Sequence, residues 1–285
     1  KTTGVDFSIN SRIINKKSFK WDIGVTIASF KNRITALPGG STITNYGRAT
    51  LITGVGGSVS SFYGYKTNGV YATDAEAATA GLTKQQTDGS FAAYKGGDIR
   101  FQDVNGDKVI DDKDKQFIGN PTPDYTGGIT TKLIYKRFSL DALVTFSQGN
   151  KIYNGVRAAL ESQSTTENQL QSVVNRWRAP GQITNTPKAS FGDPLGNSSF
   201  SDRWIEDGSF LRLKVITASY QLPIKAGKAL RYVTLYVTGN NLLTFTKYLG
   251  YDPEFYSAET VLARGVDVGL EPQYKSIIGG VRIGL

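Results

Sequence analysis

The feature that most constrains this chain is a rhythm in its links. Segments with period-two alternation are joined by links that are short and long in strict turn. From Gly4 to Ile14, Val5, Phe7, Ile9 and Ile13 share one face, while Asp6, Ser8, Asn10 and Arg12 share the other. From Phe19 to Ser29, Phe19, Trp21, Ile23, Val25 and Ile27 oppose Lys20, Asp22, Gly24 and Thr26. Phe138–Gln148 repeats the pattern, with Phe138, Leu140, Ala142, Val144 and Phe146 against Ser139, Asp141, Thr145 and Ser147. Gly127–Tyr135, Phe210–Gln221, Tyr232–Leu243 and Lys275–Leu285 read as further strands, and Ser58–Lys66 is a doubtful eighth. Such alternation is the signature of strands whose two faces meet different surroundings. At about ten residues or more they exceed the usual five or six of a globular sheet and match a tilted strand crossing a bilayer.

The links at Asn15–Ser18, Lys136–Arg137 and Leu222–Ala229 are short. Those from Lys31 to Ser60, Lys66 to Thr126, Gly149 to Gly208 and Thr244 to Tyr274 are long. One end of the sheet therefore carries tight turns and the other all the large loops. Transmembrane β-barrels have this asymmetry, whereas sandwiches spread their loops more evenly. No run approaches the roughly 18 apolar residues of a membrane helix, so a bilayer would be crossed by strands alone. The fold expected is all-β: antiparallel transmembrane barrel strands with long extracellular loops. Seven or eight strands suit an incomplete piece of a wider barrel. Within the loop from Gly149 to Gly208, a short helix is expected between Leu160 and Trp177.

Composition then bounds the chemistry. The 285 residues include 32 Gly, 15 Tyr and 14 Phe, a mixture that favours sheet and turns. There is no Cys, His or Met, which excludes His- and Cys-based metal sites, thiol catalysis, disulfides and every Ser–His or Cys–His arrangement. The net charge of +9 is spread along the chain, so no nucleic-acid partner is expected. The chain opens on Lys1-Thr2-Thr3-Gly4 with no apolar leader, and a processed product or a fragment is the expectation.

One segment stands out chemically. Residues 103–114 place Asp103, Asn105, Asp107, Asp111 and Asp114 at positions one, three, five, nine and twelve of a calcium-type loop, with Ile110 at the eighth. The Val109 carbonyl would complete an oxygen shell for a structural calcium ion. Lys108 stands where glycine normally makes the sharp turn, and Asp114 replaces a longer Glu. The competing reading is a solvated Asp/Asn/Gly turn. Elsewhere, Glu206 and Asp207 are adjacent and would point to opposite faces of a strand, so they make no acid–base pair. Gly54–Gly57 lacks the context of a phosphate loop. Tyr153, Trp177 and Trp204 are weak candidates for stacking on a sugar substrate. No catalytic residue is identified and no enzyme activity is expected.

Seven further motifs occur in order. They are Ser61-Phe-Tyr-Gly-Tyr-Lys-Thr-Asn-Gly-Val-Tyr71, Gly97-Asp-Ile-Arg-Phe101 with the aspartate loop, and Ile118-Gly-Asn-Pro-Thr-Pro-Asp-Tyr125. Ser147-Gln-Gly-Asn-Lys-Ile-Tyr-Asn154, Trp204-Ile-Glu-Asp-Gly-Ser-Phe-Leu-Arg-Leu-Lys214, Gly239-Asn-Asn-Leu-Leu-Thr244 and Tyr248-Leu-Gly-Tyr-Asp-Pro-Glu254 follow. Together, and over nearly the whole chain, they resemble the C-terminal barrel of the SusC/RagA family of TonB-dependent outer-membrane transporters. That resemblance implies a barrel of about twenty-two strands, of which residues 1–285 would supply roughly the last third, with plug and N-terminal strands elsewhere. It implies location in the bacterial outer membrane, lipid around the apolar faces, and a glycan or peptide fragment as substrate. A SusD-type surface lipoprotein would be the lid, and the TonB complex would act through the missing N-terminal part. The chain departs from the family in ending on Leu285 instead of Phe.

The resemblance also puts Phe19 and Trp21, beside a short turn, at the inner membrane interface. It makes Val144→Arg damaging to assembly and Thr145→Arg tolerated. The rival reading is a secreted, calcium-stabilised β domain that binds polysaccharide as an adhesin or carbohydrate-binding module. The row of Phe138, Leu140, Val144 and Phe146 argues against it.

Overall fold

The computed structural model describes residues 1–224, 231–255 and 261–284. Its frame is a sheet of seven long strands: β1 (Thr2–Asn15), β2 (Phe19–Asn32), β3 (Tyr125–Tyr135), β4 (Phe138–Gln148), β5 (Phe210–Gln221), β6 (Tyr232–Thr246) and β7 (Ser276–Gly284). Spatial order follows chain order, and every neighbouring pair is antiparallel. The β1–β2 turn is closed by Lys16 N–H to Phe19 C=O at 2.8 Å and the reverse bond at 3.3 Å. Lys136 makes the β3–β4 turn in the left-handed region, with φ 53°. The expected turn at Leu222–Ala229 lies partly outside the described residues, and Leu285 lies wholly outside them.

Register sorts the two faces. Ile9, Val25, Ile129, Val144, Leu213 and Leu243 lie side by side across six strands. Toward the short turns, Phe19, Tyr135, Phe138 and Tyr220 form an aromatic row, with the Phe138 and Tyr220 rings 4.5 Å apart. Toward the loops the same face carries Phe146, paired edge-on with Tyr125 at 6.2 Å, and Phe245. This face has no cover among the described residues: Phe138 is 59% exposed, Val237 53% and Val281 57%. Bulges at Ile13, Lys214 and Asn241–Leu242 shift register without exchanging the faces on either side.

No described buried hydrophobic side chain belongs to these seven strands. The core sits in the described parts of the long links (33–124, 149–209, 247–255 and 261–275), which fold together into a module at one end of the sheet. One cluster joins Ala49, Leu51 and Phe62 of the first link to Tyr153, Ala158 and Trp204 of the second and Val266 of the third. A second holds Tyr71, Ala77, Leu82, Tyr94, Ile99, Phe101 and Ile110, all from the first link.

Two expectations are corrected by this module. The Ser58–Lys66 segment is no eighth strand of the frame: Ser61–Gly64 pairs with Gln116–Gly119 and Ala49–Gly54 in a separate four-stranded sheet. Phe62 is fully buried there, so its apolar run serves the loop core. The short helix expected between Leu160 and Trp177 instead spans Gly155–Leu160, where the Asn154 side chain caps the Arg157 N–H. Only a 3₁₀ turn, Gln171–Asn175, falls inside the expected window.

Candidate functional site

The polar face of the sheet is ordered by charge. Arg12, Asp22, Lys132, Asp141, Thr217 and Thr238 are in register across β1 to β6. Arg12 binds Asp22 through Nε at 2.6 Å, Lys132 reaches Asp141 at 3.2 Å, and the Thr217 and Thr238 hydroxyls lie 2.9 Å apart. Opposite charges directly across a strand pair attract, so the ladder fixes register as well as lining the face. Beside it, Gly24 sits between Asn10 and Thr130, where a Cβ would come within 2.4 Å of both side-chain oxygens. This dip opens into a hollow of about 750 Å³ along the ladder.

Where β5 rises toward the loops, Arg212 is 1% exposed and bound to Asp252, with Glu254 at 3.2 Å. Lys214 Nζ also meets Glu254, at 2.9 Å. Arg212 and Lys214 project from the frame, Asp252 and Glu254 from the third link. The cluster therefore ties the module to the polar face. Arg212 Nε and the Thr145 hydroxyl opposite it have no partner among the described residues. Thr145 is consequently a poor site for an extra positive charge, and Thr217, beside Asp141, is the sounder polar-face control. The sequence shows both motifs, yet nothing in either one names the other as partner; the local signal is two cations within the otherwise apolar run Phe210–Ile216.

The aromatic candidates are placed otherwise than a sugar platform needs. Trp204 is 0% exposed and Tyr153 1%, both in the loop core. The Trp204 ring is within cation–π reach of two guanidinium groups, Arg203 at 4.5 Å and Arg157 at 5.4 Å. Its Nε1 donates to Ser199 C=O at 3.1 Å. Burial pushes the Tyr153 phenol up to about 12 and the Arg203 guanidinium down to about 10. Trp177 is half-buried against Gly97, whose φ of 84° and lack of Cβ let the indole approach, and its Nε1 donates to Ala72 C=O at 3.1 Å. It pins the second link to the first. Glu206 and Asp207 take separate roles, as their adjacency required. Glu206 accepts from Arg157 at 2.6 Å and from the Leu249 N–H at 2.9 Å. Asp207 is held below the usual carboxylate range by its bond from Ser209.

The aspartate loop is tightly wound. Asp103 accepts from the Gly106 and Lys108 N–H groups at 2.7 and 3.0 Å, Asn105 from Asp107 at 3.1 Å, and Asp107 from Val109 at 2.9 Å. Asp111 accepts from Lys113 at 2.8 Å. Asp114 is fully buried, with its oxygens on the Val104 and Asp111 N–H groups at 2.8 and 2.9 Å. Lys108 has φ 67°, the left-handed turn that glycine makes at that position of a calcium loop. Lys113 Nζ lies 3.8 Å from Asp107 and 3.5 Å from Asp111. Among the described residues, no group of three or more acidic side chains converges on a metal position.

Comparison with known proteins agrees with this architecture. No family model matches the chain. TonB-dependent receptor P3 of Formosa agariphila is 34% identical over 279 residues, 94% of this chain and 26% of that receptor. TonB-dependent receptor SusC of Bacteroides thetaiotaomicron is 26% identical over 98% of this chain and 26% of its own length. The structure of the RagAB peptide transporter superposes with a TM-score of 0.75 at 23% identity, covering 99% of this chain and 29% of that one. The chain spans about a quarter of the length of the curated relatives it matches. The seven-stranded meander, its one-ended loops and this relationship over nearly every residue make the chain a homologue of part of the TonB-dependent receptors, SusC among them.

Proposed function

We propose that these residues form part of the wall and the outer loops of a bacterial outer-membrane importer that takes up glycan or peptide fragments. The observation that carries the reading is the two-faced sheet. Its uncovered apolar face is bounded by aromatic residues near both ends, as a lipid-facing barrel band is. From Phe138 to Phe146 is eight residues, or about 27 Å along the strand at about 3.4 Å each. At a tilt of about 40° that becomes about 20 Å of height, close to the roughly 25 Å band of such barrels. In the closed barrel the charged ladder would face the lumen and the loop module the cell exterior. A SusD-type lipoprotein would meet that module, while TonB would act through a part of the receptor outside this chain. The test is uptake of labelled oligosaccharide or peptide by cells with and without the intact receptor. Loss of uptake on deletion, restored by the gene, supports the reading; unchanged uptake of every fragment tested opposes it.

Residues 103–114 would hold a structural calcium ion in this loop module. The support is the left-handed turn at Lys108 and the retained oxygen side chains at Asp103, Asn105, Asp107, Asp111 and Asp114, with the Val109 carbonyl available beside them. Binding would displace the Lys113 ammonium from between Asp107 and Asp111. Protease cleavage within 103–114 should then rise when calcium is replaced by chelator, and equal cleavage in both would remove the metal.

A further inference from the structure

A pocket of about 440 Å³ lies in the loop module, lined by no residue of the ladder or of the aspartate loop. Arg48 comes to it from the turn before Ala49–Gly54, and Lys84 from the short strand Thr83–Gln85. The segment from Gly196 to Phe200 closes it from the second link. We propose that this pocket binds an oxyanion, the sulfate or carboxylate group of an acidic sugar.

Two cations meet there without a salt bridge to any described carboxylate. Arg48 has one long contact, to the Ser198 hydroxyl at 3.5 Å. Lys84 is half-buried, and that burial lowers its pKa against the opposing pull of the Asp193 charge. The single acidic residue lining the pocket, Asp193, is already satisfied. Its Oδ1 accepts from the Asn197 N–H at 2.6 Å, and its Oδ2 from the Ser198 N–H and hydroxyl at 2.9 and 2.6 Å. The lining therefore keeps one positive charge in excess.

The backbone is shaped to admit the ammonium. Gly196 has φ 75°, and a Cβ there would fall 2.3 Å from Lys84 Nζ and 2.7 Å from Ser199 Oγ. Glycine there lets both groups approach the backbone, and the positive φ favours glycine at this turn. An oxyanion between them would take charge-assisted bonds from Lys84 and Arg48 and a further bond from Ser199. The Phe200 side chain, which also lines the pocket and packs on Phe62 and Tyr153, gives an apolar surface for the carbon face of a sugar. The volume lies in the range of small-molecule sites, beyond the needs of a bare ion.

This assignment rests on the loops being the substrate-facing end of an importer, but its test needs no transport. The intact receptor in detergent is titrated with glucose 6-sulfate, glucuronate, glucose and an N-acetylated di-aspartate, at constant ionic strength. Saturable binding of a charged sugar and none of glucose is expected, and the two charged sugars tell a sulfate site from a carboxylate one. Lys84→Gln and Arg48→Gln should each weaken binding at least tenfold, while Lys84→Arg keeps it within about threefold. No saturable binding of either charged sugar to the natural protein would overturn the proposal, as would Gln variants that bind equally well. Tighter binding of the di-aspartate than of both sugars would overturn the glycan assignment. Failure of uptake with binding intact would count against the importer alone.

Discussion

The sheet and the loop module are built on opposite solutions to the same problem. The module buries its large side chains, Trp204, Tyr153 and Phe62 among them, in cores that several links share. The sheet buries no hydrophobic side chain among the described residues and presents rows of Ile, Val, Leu and Phe outward. An apolar face of that extent is costly in water and favourable in hydrocarbon, while a compact core suits an aqueous loop layer. On the proposed reading the difference is that of one chain adapted to two solvents, with the Arg212–Asp252–Glu254 cluster at the join.

Perturbing each region should therefore give a different failure. Trp204→Ala should cost the module about 3–5 kcal/mol, seen as rapid proteolysis of the 149–209 link while the strands stay assembled in the membrane. Arg212→Leu leaves Asp252 buried without its charge partner and should cost about 3–5 kcal/mol. It differs in its readout, since hydrogen exchange should rise at both the top of β5 and the 247–275 link. Val144→Arg should cost about 2–4 kcal/mol if that position meets lipid near mid-bilayer. Thr217→Arg, on the opposite face beside Asp141, should assemble normally; equal yields of the two in outer-membrane fractions would erase the distinction between faces. The smallest effect concerns acid. Asp107 is held below its ordinary pKa by the Val109 N–H and then by Asn105. A depressed folded-state value adds stability above the unfolded pKa of about 3.9, which is lost as pH falls through the folded value. Protease resistance of 103–114 should hold at pH 5 and fall only in stronger acid.

How far the sequence is legible follows the same division. The strands repeat every two residues, so the faces of Phe19–Ser29 or Phe138–Gln148 are readable within each segment, and strict link alternation supplies the meander. The module has no such period. Phe62 packs with Tyr153, Trp204 and Val266, residues separated by most of the chain, so Ser61–Gly64 resembles a frame strand until its partners are known. Trp204 and Tyr153 show the same limit, because an aromatic side chain in a loop is equally suited to a surface platform or to a core. Spacing does place the oxygen side chains of 103–114, but it does not show that Lys113 reaches two of them. The pairing of Arg48 with Lys84 across one pocket is also a product of the fold, with no trace in local spacing.

The central claim is that alternate residues of one strand face lipid and a water-filled interior. The 285 residues contain no cysteine, so single nitroxide labels on cysteines placed at each position from Ser139 to Phe146 report without competition from within this chain. With the intact receptor in bilayers, accessibility to oxygen should peak at Leu140, Ala142, Val144 and Phe146. Accessibility to a water-soluble nickel chelate should peak at Ser139, Asp141, Leu143 and Thr145. Two opposed period-two patterns are the expected result, whereas uniform access to the nickel chelate along the strand would contradict the account.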